Sequence, residues 1–366
     1  MNTEISSANS YLQLLRLLRI YKATNFVIIL LLTSVIGSDA QAARLFIGDT
    51  ITLKNQEFSV QSKIHSGKEG MVFLIANTDF SEFYALKEYS PHSNAEFNHT
   101  RILRLKNLQQ KMSTLTGKTY LHKILHLEVQ ENHLYELSHV GNSDLKQRLL
   151  DKRHTNLVLN KLQNVDLLEN KIETIYRLFK QSLLAIETLH SIGFVHTDLK
   201  PSNIITFNKI ISELAIVDYG MVHRIGVLEG FLNKTVYSPP EQQVYITALA
   251  EPAVDYYSLG KTWMAVISLL DHELYEKTKV ARDQDKTIEQ FEIFKEIHIA
   301  EIKRKVSERS WLQLKSLLVF IDSALEFYPQ DRIKSLVKNR GKIFGPSDPS
   351  PSLLKMNMCK FIFSGY

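Results

Sequence analysis

The sequence predicts an α+β protein in two lobes, strands first and helices after, on three patterns. Phe83-Tyr84-Ala85-Leu86-Lys87 alternates with the two-residue period of a strand. Leu134-Tyr135-Glu136-Leu137-Ser138, an apolar strand, runs into Gly141-Asn142-Ser143-Asp144-Leu145, a turn-forming stretch that reads as a connector between lobes. Ile172, Ile175, Tyr176, Phe179, Leu183, Ile186 and Leu189 then recur at steps of three and four, the buried stripe of a long helix. A chain of 366 residues suits one such domain with tails, and 44% hydrophobic content is enough for a large core. Net charge is +5, with Lys and Arg spread among Asp and Glu, so nucleic-acid binding has no compositional footing. The single cysteine, Cys359, rules out an intramolecular disulfide, and no Cys/His spacing suits zinc.

Taken in chain order, the first feature is the apolar run Phe26–Gly37, preceded by Arg16, Arg19 and Lys22 and followed by Ala40-Gln41-Ala42. Basic flank, short apolar core and small residues at a cleavage position describe a secretory signal cut between Ala42 and Ala43. A tilted membrane anchor is the alternative, and either would carry the remaining chain to the far side of the membrane. A helix docked on the domain, with the chain cytoplasmic, is the third possibility. Any membrane contact is expected through this segment alone.

Ile64-His65-Ser66-Gly67-Lys68-Glu69-Gly70-Met71-Val72 follows, with Gly67 and Gly70 placed so that backbone N–H groups can approach phosphate oxygens without a Cβ in the way. In the next strand, alternation puts Ala85 and Lys87 on one face, a small residue and a cation suited to an adenine ring and its phosphates.

The long helix leads into His196-Thr197-Asp198-Leu199-Lys200-Pro201-Ser202-Asn203, and Asp218-Tyr219-Gly220 comes soon after. This spacing assembles a phosphoryl-transfer set. Asp198 can orient or deprotonate a hydroxyl, and Lys200 can neutralise charge on the moving group. Asn203 and Asp218 offer the hard oxygen ligands that Mg²⁺ prefers.

These motifs resemble the eukaryotic-type serine/threonine protein kinases, over about residues 58 to 335. Ile64–Val72 is similar to the glycine-rich loop of that family, with His65 in the place of its first glycine. His196–Asn203 is similar to its catalytic loop, with Thr197 where Arg is usual, and Asp218-Tyr219-Gly220 to its metal-binding loop. Tyr237-Ser238-Pro239-Pro240-Glu241, Asp255–Gly260 and Tyr328-Pro329-Gln330-Asp331-Arg332 resemble three structural elements of the helical lobe. The resemblance implies a two-lobed protein-kinase fold, β-rich with one helix in the N-lobe and mainly helical in the C-lobe. It implies ATP and Mg²⁺ as cofactors and a protein bearing Ser or Thr as substrate.

By resemblance, Asp198 and Lys200 are catalytic, and Asn203 and Asp218 hold metal. Gly67, Gly70, Val72, Ala85, Lys87, Glu136, Ser138 and Ile205 contact nucleotide, with Tyr135 as gatekeeper and the backbone of 136–138 pairing with adenine. The family's helix acid, which pairs with the strand lysine, falls on His99, so Glu96 one turn earlier is expected to reach Lys87. Asp255 is expected to anchor the catalytic-loop backbone, and Glu241 to pair with Arg332. Expected boundaries are a leader over 1–43, a domain over 44–340 and a Pro/Ser-containing tail over 341–366. Within the domain they are an N-lobe over 58–137, a hinge over 135–141 and a C-lobe over 142–340. Two other readings share the motifs: a pseudokinase scaffold, and a small-molecule phosphotransferase, which Lys200 disfavours.

Overall fold

The computed structural model describes residues 45–67, 69–92, 94–145, 165–207, 213–230, 235–244, 247–268 and 284–344. The expected leader and most of the expected tail lie outside them. Among the described residues no helix is long and apolar enough to cross a membrane.

The N-lobe is a six-stranded antiparallel sheet built from β1 (Thr50–Leu53), β2 (Gln56–Gly67), β3 (Gly70–Asn77), β4 (Phe83–Tyr89), β5 (Ile124–Gln130) and β6 (His133–His139), in the order β1-β2-β3-β4-β6-β5. Alternation decides its faces. In β1, Ile51 and Leu53 are buried while Thr50 and Thr52 are exposed. Leu45, Ile51, Leu53, Phe58, Val60, Phe73, Ile75, Leu86, Tyr135 and Leu137 form one apolar cluster. The lobe therefore begins at Leu45, ahead of the expected 58, because Leu45 and β1 help close that cluster.

Helix α1 (Ala95–Ser113) connects β4 to β5. Asn94 caps it, its side chain accepting from the backbone N–H of Glu96 and Phe97 at 2.8 and 3.2 Å. The inward stripe of α1 is Arg101, Arg104, Leu105, Leu108 and Met112.

The C-lobe centres on α2 (Val165–Ser191), 27 residues long, whose buried Ile172, Phe179, Leu183, Ile186 and Leu189 bear out the periodicity. It is preceded by β7 (Ser143–Asp144) and followed by the short strands β8 (Phe194–Val195), β9 (Ile204–Thr206), β10 (Leu214–Ile216) and β11 (His223–Arg224). Next come β12 (Leu228–Gly230), α3 (Pro240–Val244), β13 (Thr247–Leu249) and α4 (Pro252–Ile267). Helices α5 (Gln284–Lys305), α6 (Glu308–Ala324) and α7 (Pro329–Phe344) complete the order. Helix α4 opens with Pro252, whose missing N–H costs nothing in a first turn. Phe179, Trp263 and Phe320 meet at the centre with ring centroids 4.9–5.9 Å apart. Helix α7 runs to Phe344, four residues into the expected tail. Strand β6 occupies most of the expected hinge, reaching His139 before the turn at Gly141.

Candidate active site

The catalytic loop is held by its backbone. Asp255, wholly buried on α4, accepts from the N–H groups of His196 and Thr197 at 2.7 and 2.8 Å and from His190 Nε2 at 2.9 Å. That is the anchoring expected of it. Thr197 sits at φ 64°, a left-handed conformation costly for a β-branched residue. Its hydroxyl donates to the Met221 carbonyl, which ties the catalytic loop to the segment after Asp218.

Within the loop, Lys200 Nζ contacts Asp198 Oδ2 at 2.6 Å, and Asn203 Nδ2 donates to Asp198 O and Oδ2 at 2.8 and 3.2 Å. Both side-chain donors land on Oδ2. Among the described residues none reaches Oδ1, which leaves that oxygen to meet a hydroxyl. Asp218 also takes the left-handed conformation, φ 67°. Burial would raise its carboxyl, but Lys87, aided by His196 and Lys200, holds it down at about 2.

These side chains face a cavity of about 430 Å³ between the lobes. Its lining includes Gly67, Gly70, Val72, Ala85, Lys87, Glu136, Ser138, Asp198, Lys200, Asn203, Ile205 and Asp218, so the structure gathers every sequence-named candidate except Glu96 and Tyr135. The register explains the upper wall. Ala85 faces Ser138 and Lys87 faces Glu136 across β4 and β6, which puts all four on the cavity side. Gly70 lies at φ +147°, and a Cβ there would stand 2.0 Å from the Glu88 carbonyl oxygen. Only glycine lets the β2–β3 turn press this closely onto β4.

Three expectations for this wall need correction. Glu96 does not reach Lys87: it is exposed in the first turn of α1, because the inward stripe of the helix starts at Arg101. His99 is exposed as well. Tyr135 is not at the cavity, since its parity points it into the N-lobe cluster, and Glu136 and Ser138 face the cavity in its place. Nor is the backbone of 136–138 open to a ligand, because β6 pairs with β4 on one side and β5 on the other through Ser138. Backbone beyond His139 is the nearest that leaves the sheet.

The carboxylate that reaches Lys87 beside Asp218 is Glu69, on the turn between β2 and β3, with Oε2 3.7 Å from Nζ. Burial, with Asp218 close by, raises the Glu69 carboxyl to about 7 against the pull of Lys87. Glu136 is buried too, accepting from the Tyr89 hydroxyl at 2.6 Å. Burial pushes its carboxyl up while Lys87 draws it down. Sequence reasoning missed Glu69, although an acid flanked by Gly67 and Gly70 was a visible signal. It also missed His122, which lines the cavity and meets the His139 carbonyl through Nε2 at 2.9 Å.

The chemistry of the donors suits a divalent cation brought by its substrate. Among the described residues no three His, Cys, Asp or Glu side chains converge as a metal cage. Among the oxygens that line the cavity, the carboxylate of Asp218 and the amide of Asn203 stand at the positions expected to hold metal, with Glu69, Glu136, Asp144 and Asp198 also in the lining. A Mg²⁺ ion that keeps its waters and binds substrate phosphates needs few protein oxygens.

Below the site, Arg332 is fully buried and bidentate to Glu241 at 2.9 and 3.3 Å. It also donates to the carbonyls of Ala253, Glu326 and Phe327, at 2.8, 3.0 and 3.2 Å.

A family model for the protein kinase domain matches residues 58–339. The chain is similar to the serine/threonine-protein kinase mph1 of Schizosaccharomyces pombe, 26% identical over 221 residues, 58% of this chain and 30% of that protein. It is similar to the CTD kinase subunit alpha of Saccharomyces cerevisiae, 28% identical over 242 residues, 64% and 39% of the two chains. With the dual specificity protein kinase Ttk of Danio rerio it shares 24% identity over 231 residues, 60% and 21% of the two. The chain thus spans less than two fifths of the length of these relatives.

Proposed function

Because the chain belongs to the protein kinase family, we propose that it transfers the γ-phosphoryl group of ATP to serine or threonine hydroxyls of a protein substrate. The observation that carries this reading is the convergence of Lys87, Asp198, Lys200, Asn203 and Asp218 on one cavity. Phosphoryl transfer asks for that arrangement: charge stabilisation and positioning, with little covalent work by the protein.

Lys87 binds the α- and β-phosphates, and Gly67 and Gly70 bring backbone N–H groups over them. Asn203 and Asp218 would hold Mg²⁺, which when bound offsets the charge of the β- and γ-phosphates. Asp198 orients the substrate hydroxyl through Oδ1. The hydroxyl oxygen forms a bond to the γ-phosphorus as the bond from that phosphorus to the β,γ-bridging oxygen breaks. The bonding pair leaves with ADP, and the hydroxyl proton passes to Asp198. Lys200, already against Asp198, neutralises the equatorial oxygens of the moving group. Serine and threonine are favoured because Lys200 follows Asp198 by two residues, the spacing that resembles kinases of that class.

The test is γ-phosphate transfer to a generic protein substrate, with the phosphorylated residue type identified in the product. Asp198→Ala should lose about 10²–10⁴ in rate, the worth of a positioned general base, while its melting curve stays close to wild type. Wild-type turnover by that variant would sink the mechanism. A wild type that binds nucleotide and transfers nothing would identify a pseudokinase.

A further inference from the structure

The helix that faces Lys87 presents the wrong charge for it. The inward stripe of α1 carries Arg101 and Arg104, and its single acid, Glu96, is exposed in the first turn. We propose that Glu69, on the turn between β2 and β3, is the residue that positions Lys87, with Arg101 of α1 anchoring that turn. This rests on the phosphotransfer reading above.

Four contacts lead to it. Glu69 Oε2 lies 3.7 Å from Lys87 Nζ, both side chains being largely buried. The Glu69 carbonyl accepts from Ser90 N–H at 2.9 Å, which extends the β3–β4 ladder by one residue and fixes the turn from which the side chain departs. The Ser90 carbonyl accepts in turn from Arg101 Nη1 at 3.2 Å, and that guanidinium stacks 4.9 Å from the Phe97 ring centroid and 5.5 Å from that of Tyr89. On the far side, a Cβ at Gly220 would stand 2.1 Å from Glu69 Oε2, so the bare glycine of the metal-binding loop makes room for the carboxylate.

Charges therefore alternate from Lys87 to Glu69 to Arg101. An acid on α1 would hold the lysine directly. Here α1 holds the turn, and the turn holds the lysine. The same turn carries Gly67 and Gly70, so closing it over a nucleotide and fixing Lys87 become one motion. Glu69 is a positioning residue, since it acts through Lys87 and not on the reacting atoms.

The experiment compares Glu69→Gln, Glu69→Ala and Glu69→Asp with wild type and with Glu96→Gln. It measures kcat, KM for ATP, the melting temperature without nucleotide, and the Kd for a non-hydrolysable ATP analogue with Mg²⁺. Glu69→Gln and Glu69→Ala should lose tenfold or more in kcat/KM and weaken analogue binding, with melting temperatures near wild type. Glu69→Asp should recover part of the loss, and Glu96→Gln should stay within twofold. If instead the variants bind the analogue as tightly as wild type or more tightly, Glu69 competes with phosphate for Lys87 and the proposal falls. Loss with Glu96→Gln alone would overturn it too. A wild type that transfers no phosphate fails the phosphotransfer reading alone, because the analogue Kd series still reports on Glu69. A wild type that binds no analogue overturns the proposal.

Discussion

On the C-lobe wall of the cleft, Asp198 and Asn203 hang from a loop whose backbone N–H groups are fixed by the wholly buried Asp255. On the N-lobe wall, Lys87 is held by carboxylates from two other elements, Glu69 above and Asp218 below. The first wall is built from short, directional hydrogen bonds to a carboxylate wholly buried within the C-lobe. The second depends on how separate elements approach one another. A loop tied this way keeps its shape whether or not ligand is present. An ionic contact between elements is set by lobe closure and local dielectric. The difference assigns the C-lobe wall to standing geometry and the N-lobe wall to adjustment.

If that contrast holds, the largest stability loss comes from the C-lobe. Arg332 is fully buried, with Glu241 as its ionic partner and three backbone carbonyls as the rest of its shell. Removing one member of such a pair strands a buried charge, at a cost of roughly 3–5 kcal/mol. Arg332→Ala should lower unfolding free energy by that amount in a denaturant titration, and activity with it. An unchanged midpoint would show that the helical lobe does not depend on the pair.

A smaller effect separates the walls by pH, best read in metal-free protein. His122 is pushed down to about 4 by burial, and His223, which accepts from Arg104 Nη1 at 2.7 Å, to about 3 by burial and that guanidinium. Both folded values lie below the usual 6.5, so their stability is present above about pH 6.5 and is lost as pH falls toward those values. By pH 5 each costs about 2 kcal/mol. Glu69 has the opposite sign. Its carboxyl, raised to about 7, favours the folded state as pH drops through 7 and offsets part of the loss. Wild type should therefore lose less stability between pH 7 and 5 than the two histidines alone would cost. Glu69→Gln should steepen that loss and His122→Gln should remove part of it. Parallel profiles for all three proteins would contradict the assigned environments.

What the sequence disclosed follows the same division. The catalytic loop was legible because its chemistry lies within eight residues, and Asp218 follows after a short hairpin. Glu241 and Arg332 were legible although far apart, because each sits in its own recognisable stretch. The partner of Lys87 was not, because it depends on which α1 residues turn inward and on the close approach that Gly70 permits. In β6 alternation does mark the faces, polar Glu136 and Ser138 toward the cavity and Tyr135 and Leu137 toward the cluster, whereas the gatekeeper position was assigned to Tyr135 by resemblance, against that parity. Strand β1 was readable in the Thr-Ile-Thr-Leu alternation.

The smallest expected effect is a null. Many regulated sites use an Arg in the catalytic loop to receive a phosphate added to the neighbouring segment, a charge-assisted ordering device. Here that place is taken by Thr197, which is buried and already donates to the Met221 carbonyl, while the segment is further tied to α1 by His223 and Arg104. A hydroxyl bonded to backbone has no charge to offer a phosphate, and the tie it makes exists without one. Phosphatase-treated protein should therefore keep its rate within about twofold, against the tenfold or greater loss that a missing charge-assisted clasp of about 1.5–3 kcal/mol implies. Activity that collapses on treatment and returns on rephosphorylation between Asp218 and Glu241 would mean that another cation serves as the clasp. The C-lobe wall would then be as adjustable as the N-lobe wall.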